Sequence, residues 1–582
     1  MRYYLFVVIM MVASVASAQD VYVSPDENLA DAFRTAREMK RLQTNIDSVT
    51  IHLKKGIYRL DEPLFIRPED SHTTVIGEDS TVISGGVRLS HWRKEGNLWV
   101  TDVPDFNGRP FDFRQLWVNG RKADCARDVT DFDHMYRIRN VDKQHQLIWV
   151  PASAVRRLVD KQGKLVAPYA EMVLHEMWCV ANLRIKFIVI EGDSAAISFH
   201  QPESRLQFAH PWPSPMVTTD GHNSAFYLRN ALPLLDTPGE WYHDIRTQRL
   251  YYLPRADENM QHADIEVPAL ETLVSVDGIE GRTVNNVTFS NITFRHTTWM
   301  RPSLQGHVPL QAGMYLIDAY KLRPQIDRKD GNHKLDNQGW LGRAAAAVQL
   351  NWTQNVSFEH CIFTQLGGSG LDYAEGCHHG EVTDCHFHDI AMNGVVIGSF
   401  SPKGLETHIL YNPTDTNEVC NNQQITHCLI EDVGNEDWGC LGIAAGYVAN
   451  IYIGHNEIRE VPYTGISLGW GWNCLPGCMH SNRMEYNLIH HYAQHTYDCA
   501  GIYTLGNQQS TLIQNNVIRD IYHPVYAHDP NHWFYLYTDE GSSGITIRNN
   551  WTPSEKFLQN ANGQGNVWLN NGPQVKIEKA GK

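Results

Sequence analysis

The stretch Asn286-Val-Thr-Phe-Ser-Asn-Ile-Thr-Phe294 is nearly repeated as Asn355-Val-Ser-Phe-Glu-His-Cys-Ile-Phe363. The same shape returns at residues 381–387, 425–430, 451–458, 483–489, 512–518 and 545–551. Within each unit apolar and polar residues alternate, the period-two signature of a half-buried strand. Anchoring on the Cys or Asn before the last apolar pair gives Cys361, Cys385, Cys428, Asn456, Asn487, Asn516 and Asn550, spaced by 24, 43, 28, 31, 29 and 34 residues. A floor in the twenties with an irregular excess belongs to a β-solenoid, in which each coil has a minimum length and surplus residues leave as loops. Asn at the repeated position suits a corner, because it tolerates left-handed geometry and can hydrogen-bond from coil to coil. No stretch here shows the 3.6-residue period that a helical or leucine-rich solenoid needs.

Working outward, residues 28–42 place Leu29, Ala32, Phe33, Ala36 and Met39 at helical spacing. The spacing predicts an amphipathic helix capping the open end of the solenoid. Strand-like Val49-Thr-Ile-His-Leu53 and Thr73-Thr-Val-Ile76 follow, punctuated by Gly56 and Gly77. From 91 to 268 the pattern changes to aromatic, Pro-rich alternating segments such as Phe113-Arg-Gln-Leu-Trp-Val-Asn-Gly120 and Arg249-Leu-Tyr-Tyr-Leu253. These read as antiparallel hairpins of a β-sandwich-like insertion. Ahead of everything, Arg2, an apolar run to Val15 and Ala16-Ser17-Ala18 read as a cleaved secretory signal. The expected organisation is therefore a signal peptide (1–18), a cap with first coils (19–90), an inserted module (91–268) and a β-helix (269–582). The fold class is all-β, a right-handed parallel β-helix. No lipobox-like Cys follows the apolar run, and no later stretch is long enough to span a membrane. A soluble monomer, secreted or periplasmic, is expected.

A net charge of −16 with 49 basic residues argues against nucleic acid as partner. Of the 11 cysteines, Cys361, Cys385 and Cys428 share one repeat position and are expected as a stack of buried free thiols. Cys474 and Cys478 flank a Leu-Pro-Gly turn that permits a bridge.

The order of segments LWVNG (116–120), PGEWY (238–242), Gly465-to-Trp472 GISLGWGW, Asp498-to-Gly506 DCAGIYTLG and Tyr537-to-Gly544 YTDEGSSG resembles the β-helix glycoside hydrolases. The chain is most similar to glycoside hydrolase family 141, with family 120, a β-xylosidase family, more distant. The resemblance spans nearly the whole mature chain. It implies hydrolysis of plant cell-wall glycans, with α-L-fucosidase and β-xylanase activities both associated with the family. Fucosidase action on the pectin rhamnogalacturonan II is the version carried over. It also implies that Asp498 and Asp539 are the catalytic pair.

Glycosidases set two carboxylates about the scissile bond. Matching Ile502-Tyr-Thr504 to Leu536-Tyr-Thr538 turns Ile502 and Leu536 inward and Tyr503, Tyr537 and Asp539 outward. Glu540 points the other way unless Gly541 begins a bend. Asp498 has the parity of the inward Ile502 and needs a corner at Ala500-Gly501 to face out. Asp498 is read as nucleophile and Asp539 as general acid/base, with the reverse left open. Trp470 and Trp472 share a face by alternation and are candidate sugar platforms, or a packed aromatic pair. Trp438 and Glu436 lie one coil earlier and extend the expected groove; Glu436 and Asp437 are reserve carboxylates. His495 is a candidate hydroxyl donor, or a plain surface histidine. The 29 histidines show no metal-ligand spacing and no third ligand, so no metal or cofactor is expected.

Two other classes compete. A polysaccharide lyase needs a basic catalytic group and cations for a uronate, yet residues 421–550 hold only Arg459, Arg483, Arg519 and Arg548 and no Lys. A non-catalytic glycan-binding solenoid would bind sugar without turnover.

Overall fold

The computed structural model describes residues 17–42, 46–322, 337–401 and 411–582. The apolar run of the expected signal peptide lies outside them. Three parallel sheets of twelve, ten and nine strands run along the chain. The first runs from Ser17–Val23 to Val567–Leu569, the second from Leu64–Ile66 to Phe557–Gln559, and the third from Gly56–Arg59 to Val517–Ile521. Between the terminal coils each turn contributes one strand to each face, which makes a three-sided parallel β-helix. Among the described residues no helix is long and apolar enough to cross a membrane.

The predicted capping helix spans Leu29–Leu42 and buries Leu29, Ala32, Phe33 and Ala36 over the first coil. Its Arg37 Nη1 donates to both oxygens of the fully buried Asp70, at 2.9 and 3.0 Å.

The interior is stacked by residue type. Phe294, Phe363 and Phe387 lie ring on ring at 5.0 and 4.5 Å. Cys361, Cys385 and Cys428 follow at one corner as buried thiols, and Cys474 and Cys478 do not form the bridge that their turn permits. The same corner continues as an asparagine ladder. The N–H groups of Cys428, Asn456, Asn487, Asn516 and Asn550 each donate to the Oδ1 of the asparagine one coil on, at 3.0–3.1 Å, ending at Asn571. These asparagines do not themselves take left-handed φ, as the corner argument expected. The preceding residue does: His427, His455, Tyr486, Asn515 and Asn549 have φ between 54° and 58°. That leaves the asparagine free to point inward and saturate its amide. The outward corner residues stack in turn, His427 on His455 and His455 on Tyr486, both at 5.1 Å. Several of the many histidines are therefore corner stacking residues.

The inserted segment forms two mostly antiparallel sheets, of eight and seven strands. The eight-stranded sheet folds about its own core of Leu116, Val118, Trp241, Leu250, Tyr252, Ile265 and Val267, among others. Polar anchors fix the segment to the β-helix. Trp117 Nε1 donates to Asp389 at 2.8 Å, and Lys122 meets Glu436 at 2.7 Å.

Candidate active site

The site lies on the outer face of the ten-stranded sheet, where Ile466–Leu468, Cys499–Thr504 and Trp533–Thr538 run side by side. Their register pairs Ile466 with Ile502 and Leu536 on the inner side, and Ser467 with Tyr503 and Tyr537 on the outer side. Asp539 leaves the last strand with outward parity, its N–H bonded to the Thr504 carbonyl at 3.0 Å. Gly541, at φ 79°, then bends the chain, so Glu540 reaches the same space. A side chain at Gly541 would collide with the backbone of Asn473, 2.3 Å from its carbonyl oxygen.

Asp498 reaches the outer face through two breaks in alternation. A Cβ on Gly501 would sit 2.3 Å from Cγ2 of the core residue Ile518, so Gly501 and Ile502 both face inward and the count restarts. Asp498 itself has φ 56°, a conformation available to Asp at modest cost.

The two aspartates line one cavity of about 220 Å³. Its wall comprises Met177, Trp178, Trp212, Leu310, Gln311, Tyr463, Trp472, Asp498, Tyr503, Tyr537, Asp539, Glu540 and Asn560, with no Lys or Arg among them. Their environments differ. Burial, then the neighbouring Asp498 charge, raises Asp539 to about 6, although Tyr503 and Asn560 donate to it at 2.5 and 2.7 Å and oppose the rise. Asp498 Oδ1 lies 3.2 Å from Nε2 of His532, and the bond to Asp498 raises the imidazole's pKa. One carboxyl is thus biased toward its protonated form, and the other lies beside an imidazole; acid-assisted glycoside cleavage uses two carboxyls in unlike roles.

The inserted segment supplies part of the wall. Met177 and Trp178 form the tip between Glu171–Glu176 and Cys179–Glu191. The Trp178 indole donates to the Leu310 carbonyl at 2.7 Å, and His175 Nε2 meets the His495 carbonyl at 2.6 Å. The tip is thereby fixed three residues ahead of Asp498.

Four expected sugar-contacting residues do not line the cavity. Trp470 is buried in the core against Phe400 and crosses Trp472 at 68°, because Gly469 and Gly471 have φ 95° and 86° and interrupt the alternation that would align the pair. Only Trp472 reaches the wall. His495 stacks on Trp438 at 4.0 Å and bonds Tyr526, and burial lowers its pKa to about 3; it is a packed neutral ring. Trp438, 2 % exposed, packs against Tyr227 and Phe132 of the insertion. Burial favours neutral Glu436, but Lys122 and Arg229 outweigh it and keep its pKa low; this carboxylate anchors the insertion. The reserve residue Asp437 is buried against His307 at 3.0 Å. Met177, Trp178, Trp212, Leu310, Gln311, Tyr463, Asn560 and His532 were not anticipated. Tyr463 sits on a coil two residues before Gly465 and was findable; the insertion residues carry no repeat to align.

The carboxylates of Asp498 and Asp539 thus lie together on the flank of the parallel β-helix, with Trp178, Trp212 and Trp472 on the same wall. Residues 96–255 match the family model of the glycoside hydrolase family 141 insertion domain. A solved structure described as a glycoside hydrolase is 57% identical, covers 97% of this chain and 98% of that one, and superposes with a TM-score of 0.95. The chain belongs to glycoside hydrolase family 141. A complex of XylC with xylose matches at 12% identity over 93% of this chain and 70% of that one, with a TM-score of 0.49. The surface adhesin PfbA of Streptococcus pneumoniae matches at 9% over 96% and 93%, with a TM-score of 0.33. Both are too remote to bear on activity. No curated protein matches.

Proposed function

We propose that this glycoside hydrolase is an exo-acting α-L-fucosidase that trims pectin of the rhamnogalacturonan II type outside the cytoplasm, with Asp539 as general acid and Asp498 as nucleophile or base. The supporting observation is the cavity: two aspartates of unlike environment on the wall of one small cavity. At about 220 Å³ it is smaller than the roughly 300–1,000 Å³ of drug-sized ligand sites, which suits one terminal sugar ring. Met177 and Leu310 beside Trp178, Trp212 and Trp472 offer apolar surface for the methyl group of a 6-deoxy sugar. Three carboxyls and no cation on the wall suit a neutral sugar that develops positive charge at the anomeric carbon. They speak against a lyase, which must neutralise a uronate.

In the proposed reaction Asp539 gives its proton to the glycosidic oxygen. Asp498, steadied by His532, meets the anomeric carbon directly or through a water. Glu540 and Asn560 lie within the cavity to hold ring hydroxyls. A β-xylosidase is the second reading, because the same wall accepts a pentose. The deciding experiment compares release of 4-nitrophenol from the α-L-fucoside and the β-D-xyloside, then fucose release from pectin oligosaccharides, by wild type, Asp498→Ala and Asp539→Ala. Fucose release from the pectin oligosaccharides, whose leaving group is poor, is expected to fall by about 10²–10⁴-fold in both folded variants. Preference for the xyloside would transfer the chemistry to the second reading, and full activity in both variants would remove the aspartate pair.

A further inference from the structure

On the nine-stranded sheet, away from the cavity, the last coils place His490, His491 and Asp520 so that one donor atom of each lies within 4.8 Å of the others. Neighbouring residues of a strand normally face opposite ways. Here His491 and Asp520 have φ 53° and 45°, which swings each back beside the strand and brings the two imidazoles together. The Nδ1 atoms of His490 and His491 are 2.7 Å apart. The His490 side chain is 8% exposed, and its Nε2 faces Glu457 Oε1 of the preceding coil at 3.2 Å. A carboxylate on the far nitrogen fixes that nitrogen as the N–H and leaves Nδ1 with its lone pair, the outer-shell arrangement of metal-bound histidines. The Nδ1 of His490 therefore offers an electron pair directly toward His491 and Asp520.

We propose that His490, His491 and Asp520 form a binding site for a divalent transition-metal ion, joining the last two coils of the nine-stranded sheet. The donors are two imidazole nitrogens and one carboxylate oxygen, which suit copper(II), nickel(II) and zinc(II). Copper(II) is the tightest binder of the three at such a site. Asp520 also contacts Arg519, and Arg459 lies on Glu457. Binding requires Asp520 to turn from its neighbour, and these cations hold the affinity below that of a dedicated metal-storage site.

The experiment is calorimetric titration of the tag-free full chain with copper(II), nickel(II) and zinc(II), followed by electron paramagnetic resonance of the copper form. One copper(II) per chain, two equatorial nitrogens, and affinity lowered about 100-fold in His491→Ala and about 10-fold in Asp520→Asn are expected, with glycosidase turnover and circular dichroism unchanged. His491→Gln serves if the alanine variant folds poorly. Absence of stoichiometric binding, or equal binding by both variants, would overturn the site. Tighter zinc than copper binding would overturn the assignment of the ion.

Discussion

The β-helix and the inserted segment solve the burial problem in opposite ways. In the helix every coil repeats its neighbour's solution. Asn487 accepts from the N–H and Nδ2 of Asn456 at 3.1 and 3.0 Å, and it donates from its own N–H and Nδ2 to Asn516 at 3.0 Å. In the insertion the strand Leu116–Val118 pairs with Arg121–Cys125 on one side and with Ile265–Pro268, far away in sequence, on the other. A repeat gives order but presents the same face at every coil. The residues proposed as catalytic appear where the repeat breaks, at Asp498 with its left-handed φ and at Asp539 just past a strand end. The cavity closes where the repeat is absent, under Met177, Trp178 and Trp212. The difference suggests that the solenoid does the chemistry and the insertion does the selecting.

The sharpest way to break that division is to change one residue on each side. Asp539→Asn keeps the shape and removes the proton donor, and kcat should fall by about 10²–10⁴-fold on substrates with a poor leaving group. If the insertion carries chemistry too, Trp212→Ala should lower kcat as severely.

A stability measurement tests the other half of the contrast. Asn487→Ala strips partners from several buried polar groups, each costing about 1–3 kcal/mol when left unpaired. Chemical denaturation should show a loss of about 3 kcal/mol, with kcat per folded molecule unchanged. A loss of less than about 1 kcal/mol would mean that the ladder decorates the corner rather than holding it.

Much of the helix was legible because its information is local and repeated. The Cys and Asn anchors mark the corner, and alternation alone turns Tyr503, Tyr537 and Asp539 outward. The errors have a common origin. Alternation through Gly469 and Gly471 leaves Trp470 open between a sugar platform and a packed ring; their positive φ ends the alternation, and Trp470 packs in the core. Trp438, His495 and Glu436 lie near the right coil, but the insertion covers them, and no local pattern reveals what a distant hairpin covers. A second repeat, of glycines, runs through the ten-stranded sheet. Gly370, Gly394, Gly442, Gly465 and Gly501 enter successive strands of the ten-stranded sheet, and a Cβ on any but the last would lie 2.6–2.8 Å from the carbonyl oxygen of the next coil.

Substrate selection by the insertion should show as a smaller effect than loss of the acid. Trp178→Ala and Trp212→Ala each remove one large apolar wall, and a contact of this kind is worth about 1–3 kcal/mol. kcat/KM for the fucoside should drop about 10–100-fold, mostly through KM. Trp178 also bonds the Leu310 carbonyl, so Trp178→Phe, which keeps the ring and loses the donor, separates wall from anchor. A kcat loss exceeding the KM change in Trp212→Ala would move the insertion into the chemical step.

The smallest effect is the most specific to the solenoid side. A general acid works only while protonated, so kcat/KM should fall as pH rises through the Asp539 pKa of about 6. The Tyr503 hydroxyl donates to Asp539 at 2.5 Å, which stabilises the charged form and lowers that pKa. Tyr503→Phe removes the donor, so the pKa rises and the basic limb moves to higher pH. One hydrogen bond to a carboxylate, worth about 1.5–3 kcal/mol but partly replaced here by Asn560 and water, predicts a shift of about half to one unit. At low pH, where the acid is protonated in both proteins, kcat should differ only a few-fold. A limb that stays in place would mean that another group supplies the proton. A limb that moves down would mean that Tyr503 favours the neutral acid, the opposite of what an O–H directed at a carboxylate does.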